Sequence, residues 1–216
     1  MSDNYDVGAA ELRELAGKLN DLLRIRTLPI GMKQFETLEE MQQISGLRMP
    51  AEGRKHTTCQ LVTQSRMAGF TLGVTAVNVR GQSNCGGVMG IDMPDEGTLS
   101  GEQMMGVWFE NQEAAKAHQD GMTRQVYGKF VGTVCSPLRS SRLDPPDIVL
   151  FYGTPGQIIL FVNGLQWKRY KRYDMSITGE SACSDSWGKR CVPKRRPFRF
   201  PAMRSAAAAG SRTTNC

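Results

Sequence analysis

Short apolar runs, alternating with stretches of helical period, constrain this chain more than any other feature. Residues 28–35 (LPIGMKQF), 70–79, 130–136 and 148–152 read as strands, the last as a buried one. The longest uninterrupted apolar runs are 148–152 and 158–162, far short of the roughly 18 residues of a membrane span. Between the strands lie helices. Residues 9–25 set Leu12, Leu15, Leu19, Leu22 and Leu23 on one face. Thr37-Leu-Glu-Glu40 is a capping box that opens a short helix to about residue 45. Residues 58–68 form a helix with Thr57 or Thr58 as its cap and Gly69 as its stop. Further helix is expected over most of 101–122, over 157–170 and from 179 to 187. Residues 46–57 and 137–147 are loops, 80–90 a Gly-rich turn and 175–178 a short strand. The expected fold is α+β (mixed α/β), a single domain with a mixed sheet and helices.

The net charge of +6 points to nucleic acid until it is located. Residues 189–216 carry eight Lys and Arg and no acid, leaving 19 basic against 21 acidic residues in 1–188, a net of −2. The basic character therefore belongs to the tail, and a nucleic-acid partner is not expected for the body. One run, WKRYKRY at 167–173, interleaves aromatics with cations and could stack on bases; the favoured reading is a helix C-terminus, where the dipole favours cations. No membrane partner is expected. The acidic start MSDNYD has no basic-then-apolar signal pattern, so the expected location is cytoplasmic.

Several segments together resemble the uncharacterised domain of unknown function 169 family over about residues 12–188. They are LNDLLRIRTLPIGMK (19–33), the helix from Cys59 with Arg66 and Gly69, and Ser83-Asn-Cys85-Gly-Gly. PPDIVLFYGTPGQ (145–157) and GESACSDSWG (179–188) complete the set. The resemblance implies a fold and a residue set but no activity. After Gly188 the chain departs from the family pattern, which continues through Ile-Pro-Cys-Tyr to Asp-Asp-Glu. Here it becomes Arg/Pro-rich and then Ala-rich. Back-translation from Cys191 in the third-base register, with codons selected at the free wobble base, permits IPCY and DDEL. The expectation is thus a globular domain over 1–188, incomplete at its C-terminal part, followed by an aberrant basic tail over 189–216 translated out of frame.

Six cysteines occur and none forms a CxxC pair, which sets aside zinc-ribbon and thioredoxin readings. Cys135 sits in an apolar strand and reads as a small core residue. Cys59 and Cys183 fall at helix starts and Cys85 in the Gly-rich turn. Helix N-termini favour the thiolate, hence metal ligation or nucleophilic chemistry. Three readings of Cys59, Cys85 and Cys183 stay open: inert thiols, ligands of zinc or an iron–sulfur cluster, and a thiol nucleophile. The restored frame would add a fourth cysteine.

Gly153-Thr-Pro-Gly156 follows a strand and precedes a helix, where backbone N–H groups can meet an anion. It lacks the Gly-Lys-Ser/Thr of a phosphate loop. Gly153, Thr154, Gly156, Gln157 and Ser181 are the candidate contacts for a small molecule at the strand ends near Gly153 and Gly179, the alternative to a metal site. His56, three residues before Cys59, is a candidate fourth ligand or base. His118, on a polar helix stretch, is expected in solvent.

Overall fold

In the strand Ile30–Phe35 (β1), Ile30 and Met32 are fully buried and Phe35 is 4% exposed. Alternate residues of a strand face opposite sides, so β1 needs cover on both. A computed structural model of the chain describes residues 8–80, 84–173 and 178–187. There β1 pairs antiparallel with both Gly132–Pro137 (β4) and Ile148–Leu150 (β5). Thr71–Thr75 (β3) lies antiparallel to β4, and Leu47–Arg48 (β2) lies parallel to β3. The sheet order is β2-β3-β4-β1-β5. With eight helices among the described residues this is a single α+β domain with a mixed, open sheet.

The helices divide between the two faces. Ile30, Met32, Leu72, Val74 and Cys135 form the main core with Leu61 and Val62 of Thr58–Ala68 (α3) and with Val88 and Met89 of Asn84–Met89 (α4). On the other face Phe35 and Val134 pack with Leu143 and Met41 of Leu38–Gln42 (α2). Met41 is fully buried because two glycines leave room for it. A Cβ on Gly73 would lie 2.5 Å from Met41 Cε, and one on Gly132 2.5 Å from Met41 Sδ.

The local signals locate α3 to the residue. Thr57 accepts from the Gln60 amide at 3.1 Å, Gln60 returns the bond at 2.8 Å, and Gly69 ends the helix at φ 75°. Thr37 caps α2 by accepting from the Glu40 amide, but the helix stops at Gln42. The first helix, Ala9–Leu23 (α1), buries less of its apolar face than its period implies. Ala16 is buried, whereas Leu22 is 80% exposed.

Other expectations need correction. The Gly-rich turn of 80–90 is in its described part the helix α4, whose glycines serve close packing. A Cβ on Gly86 would lie 2.7 Å from Asp92 Cβ, and one on Gly87 2.5 Å from Pro94 Cγ. The helix of 101–122 is broken: a 3₁₀ turn covers Glu102–Met104, Gly101 and Gly106 take φ of 82° and 73°, and Asn111 recaps a separate helix, Gln112–Gly121. A four-residue helix, Glu96–Leu99, precedes them. The loop of 46–57 contains β2. The buried strand of 148–152 is the edge strand β5, in which Ile148 is buried and Val149 is 45% exposed.

The last long helix, Pro155–Gln166 (α7), is capped at Thr154 and ends before the basic run, whose cations therefore follow the helix instead of occupying its last turn. The final helix is Ala182–Ser186 (α8). Most of the strand expected over 175–178 and the whole tail, 189–216, lie outside the described residues. No helix among those described is long and apolar enough to cross a membrane.

Candidate functional site

Cys59, Cys85 and Cys183 each occupy the second residue of a helix: α3, α4 and α8. Each helix is pinned by a different device. The Thr57–Gln60 capping box holds α3. The close approach of Asp92 and Pro94 to Gly86 and Gly87 holds α4. Trp187, 5% exposed, anchors α8 in the main core, against which Cys183 also packs. The result is a meeting of three helix starts. The Cys59 and Cys85 thiols are hydrogen-bonded to each other, and Cys183 lies within electrostatic reach of both. Cys59 is exposed, Cys85 buried and Cys183 intermediate, and all three are free thiols. Cys135, fully buried in β4, is a core residue; its carbonyl accepts from Ser65 Oγ at 3.2 Å.

The electrostatics run against the thiolate expected at helix starts. The bond to Cys85 pushes the Cys59 thiol far above its ordinary range, with desolvation and the charges of Cys85 and Cys183 adding to it. Burial, then Cys85, pushes Cys183 up to about 11, against the backbone N–H groups of Ser184 and Cys183 that favour its anion. The N–H dipoles are present, but they are outweighed by low polarity and by neighbouring thiols that cannot all ionise together. A thiol held protonated is a poor nucleophile, which disfavours the thiol-catalysis reading.

A pH dependence follows. The folded pKa of Cys183 is raised, from 9.0 to about 11. This thiol therefore contributes its full stability below about pH 9, and loses it as pH rises through about 11. Two units correspond to at most about 3 kcal/mol. Urea midpoints of metal-free protein are expected to hold up to about pH 9 and to fall above it, with a shallower fall in Cys183→Ser. Identical profiles for the two proteins would contradict this assignment.

A thiol trio suits soft or borderline metals such as zinc and iron. Among the described residues, Cys59, Cys85 and Cys183 included, no group of three His, Cys, Asp or Glu side chains has the geometry to hold a metal ion. His56 is engaged through its backbone, donating to Asn78 and accepting from Arg80. His118 is half-buried, contrary to the expectation of solvent, with its ring 5.1 Å from that of Phe109.

The strand end at Gly153 has a different surrounding. Gly153, Thr154 and Gln157 line a cavity of about 600 Å³ together with Arg24, Arg26, Thr27, Arg66 and Tyr152. Gly156 and Ser181 are not part of its wall, and Ser181 instead precedes α8 on the thiol side. The turn offers few spare donors. The Thr154 amide donates to Gln157 Oε1 at 2.7 Å, Pro155 has none, and the Gln157 amide donates to Thr154 Oγ1. Gln157 Nε2 donates to the Leu23 and Arg24 carbonyls, tying α7 to the end of α1. Tyr152 lines this cavity and lies within electrostatic reach of Cys59. The Arg66 guanidinium lies 3.9 Å from its ring centroid, and its phenol is pushed up by burial, with smaller influences from Arg66 and Cys59. Sequence reasoning did not single out the arginines as ligand contacts. They are dispersed along the chain and share no motif; Arg66 alone entered, through the family resemblance.

One family model matches the chain: DUF169, described as "Uncharacterised ArCR, COG2043", over residues 18–210. The match begins within α1 and runs past Gly188 into the basic segment. No curated protein and no solved structure matches the chain.

Proposed function

This chain belongs to the domain of unknown function 169 family, whose description assigns no activity, and we propose that it is a cytoplasmic protein in which Cys59, Cys85 and Cys183 hold one metal centre, zinc or an iron–sulfur cluster. The observation that carries this reading is the approach of three thiols whose outermost members, Cys59 and Cys183, are 124 residues apart in sequence. In a reducing compartment such thiols stay unpaired. Each raises the cost of ionising the next, and a cation in their midst reverses that sign. Fewer than four protein thiolates leave a position open, which His56, a water or a further cysteine fills.

The out-of-frame reading of 189–216 belongs to this proposal, because the restored frame supplies that cysteine. The family match extends past Gly188, so an in-frame tail is the outcome that the coding DNA across codon 188 has to exclude. The metal proposal is tested on protein purified without oxygen, by elemental analysis and visible absorption. One zinc per chain, or iron with acid-labile sulfide, is the expected result, lost in Cys59→Ser and kept in Cys135→Ser. Metal-free wild-type protein that takes up neither zinc nor a reconstituted cluster overturns it.

A second reading, a small-molecule site at the end of β5, is favoured by the cavity that Gly153, Thr154 and Gln157 line.

A further inference from the structure

Four arginines converge on the cavity at Gly153 and the one beside it, and no carboxylate lines either. Arg24, Arg26 and Arg66 border the first cavity. Arg26, Thr27 and Arg66 continue into a second cavity of about 340 Å³, where Arg139 joins them. Both volumes fall within the usual range of small-ligand sites. Like charges gathered at one place repel, and a protein ordinarily interleaves them with acids. Here the ion pairs among the described residues are Lys18–Glu14, Lys116–Asp120 and Lys129–Glu36, and none of them uses these arginines.

Further observations at the wall point the same way. Thr27 Oγ1 and Arg66 Nε are buried and have no hydrogen-bond partner, and a buried donor without a partner is costly. The Arg66 guanidinium lies 3.9 Å from the Tyr152 ring centroid, and a guanidinium carries the N–H donors that grip carboxylate or phosphate oxygens. Arg24 ends α1 in the left-handed region, at φ 50° and ψ 42°, a conformation that glycine adopts without cost and arginine does not.

We infer that the paired cavities bind a small molecule carrying two or more anionic groups, a polycarboxylate or an organic phosphate. Arg66 and Arg26 sit at the shared centre, with Arg24 and Arg139 at the two ends. This rests on the second reading, that the end of β5 is a ligand site, and is independent of the metal proposal. Four cations exceed the charge of a single monocarboxylate, and two adjoining volumes suit two anionic groups on one ligand.

The test is calorimetric titration of the full chain with citrate, pyrophosphate and trimethyl citrate at constant ionic strength. Citrate or pyrophosphate is expected to bind with a Kd at or below about 1 mM, and whichever binds tighter identifies the anion class. The affinity should weaken at least about tenfold, one bidentate contact, in both Arg26→Gln and Arg139→Gln, and stay unchanged in Arg169→Gln, which alters the surface run outside the cavities. Arg26 and Arg139 are exposed, so these variants leave the core intact; circular dichroism confirms it. Phenylglyoxal labelling read by mass spectrometry should show the anion protecting Arg66. If the uncharged ester binds and both anions do not, the ligand site stands and the anionic class falls. If no probe binds, or Arg169→Gln weakens the anions as much as Arg26→Gln, the inference is overturned.

Discussion

Zinc added to the reduced, metal-free protein near neutral pH is expected to release at least two protons per ion bound. Calorimetry in buffers of different ionisation enthalpy measures that number directly. The reason lies in the raised thiols: Cys59 is far above its ordinary range and Cys183 near 11, so both are protonated before the metal arrives. Metal binding requires thiolates and must expel these protons. Cys85→Ser should lower the affinity. Structural zinc sites bind with about 10–16 kcal/mol over four ligands, so one ligand is worth about two powers of ten or more. Cys135→Ser alters a core thiol and should leave the count unchanged. A count near zero in wild-type protein, or an unchanged affinity in Cys85→Ser, would remove Cys85 from the site.

The second large effect concerns the anchor of α8. Trp187→Ala is expected to destabilise the domain by about 3–5 kcal/mol, the usual range for truncating a buried large aromatic, because the indole is 5% exposed within the main core. Trp187 follows the helix that carries Cys183 and donates its amide to the Cys183 carbonyl at 3.0 Å. The same change should therefore loosen Cys183 and weaken metal binding. Trp187→Phe separates the two contributions. The indole Nε1 has no hydrogen-bond partner, so phenylalanine forfeits no bond and should cost less than about 1.5 kcal/mol, as volume-related swaps do. Urea unfolding of both variants reads the difference. A phenylalanine variant as unstable as the alanine one would mean that the indole nitrogen has a partner after all.

The elements that could be read from the sequence are those whose cause is local. Thr57, Gln60 and Gly69 define both ends of α3 within a few residues of each end, and Thr154 with Pro155 does the same for the start of α7. The apolar strands over 28–35, 70–79 and 130–136 reappear as β1, β3 and β4 with trimmed ends. The elements misread are those that distant contacts decide. Two glycines in α4 argue for a turn, and only the proximity of Asp92 and Pro94 makes them assets in a helix. The residues of 101–122 have the composition of one helix, yet Gly101 and Gly106 in positive φ divide it.

The candidate site divides in the same way. Sequence alone placed Cys59 and Cys183 at helix starts and Gly153, Thr154 and Gln157 at a strand-to-helix turn, because capping residues, apolar period and Gly/Pro punctuation act over three or four residues. It could not say that Cys59 bonds to Cys85 with Cys183 near both, that the Cys59 and Cys183 thiols are pushed up, or that three arginines line the cavity at the turn. Those facts depend on the sheet order β2-β3-β4-β1-β5, on Trp187 seating α8 in the core, and on Gln157 fastening α7 to the end of α1 across 134 residues. A thiol's acidity is set by what surrounds it, and for Cys59, Cys85 and Cys183 the tertiary structure supplies those surroundings.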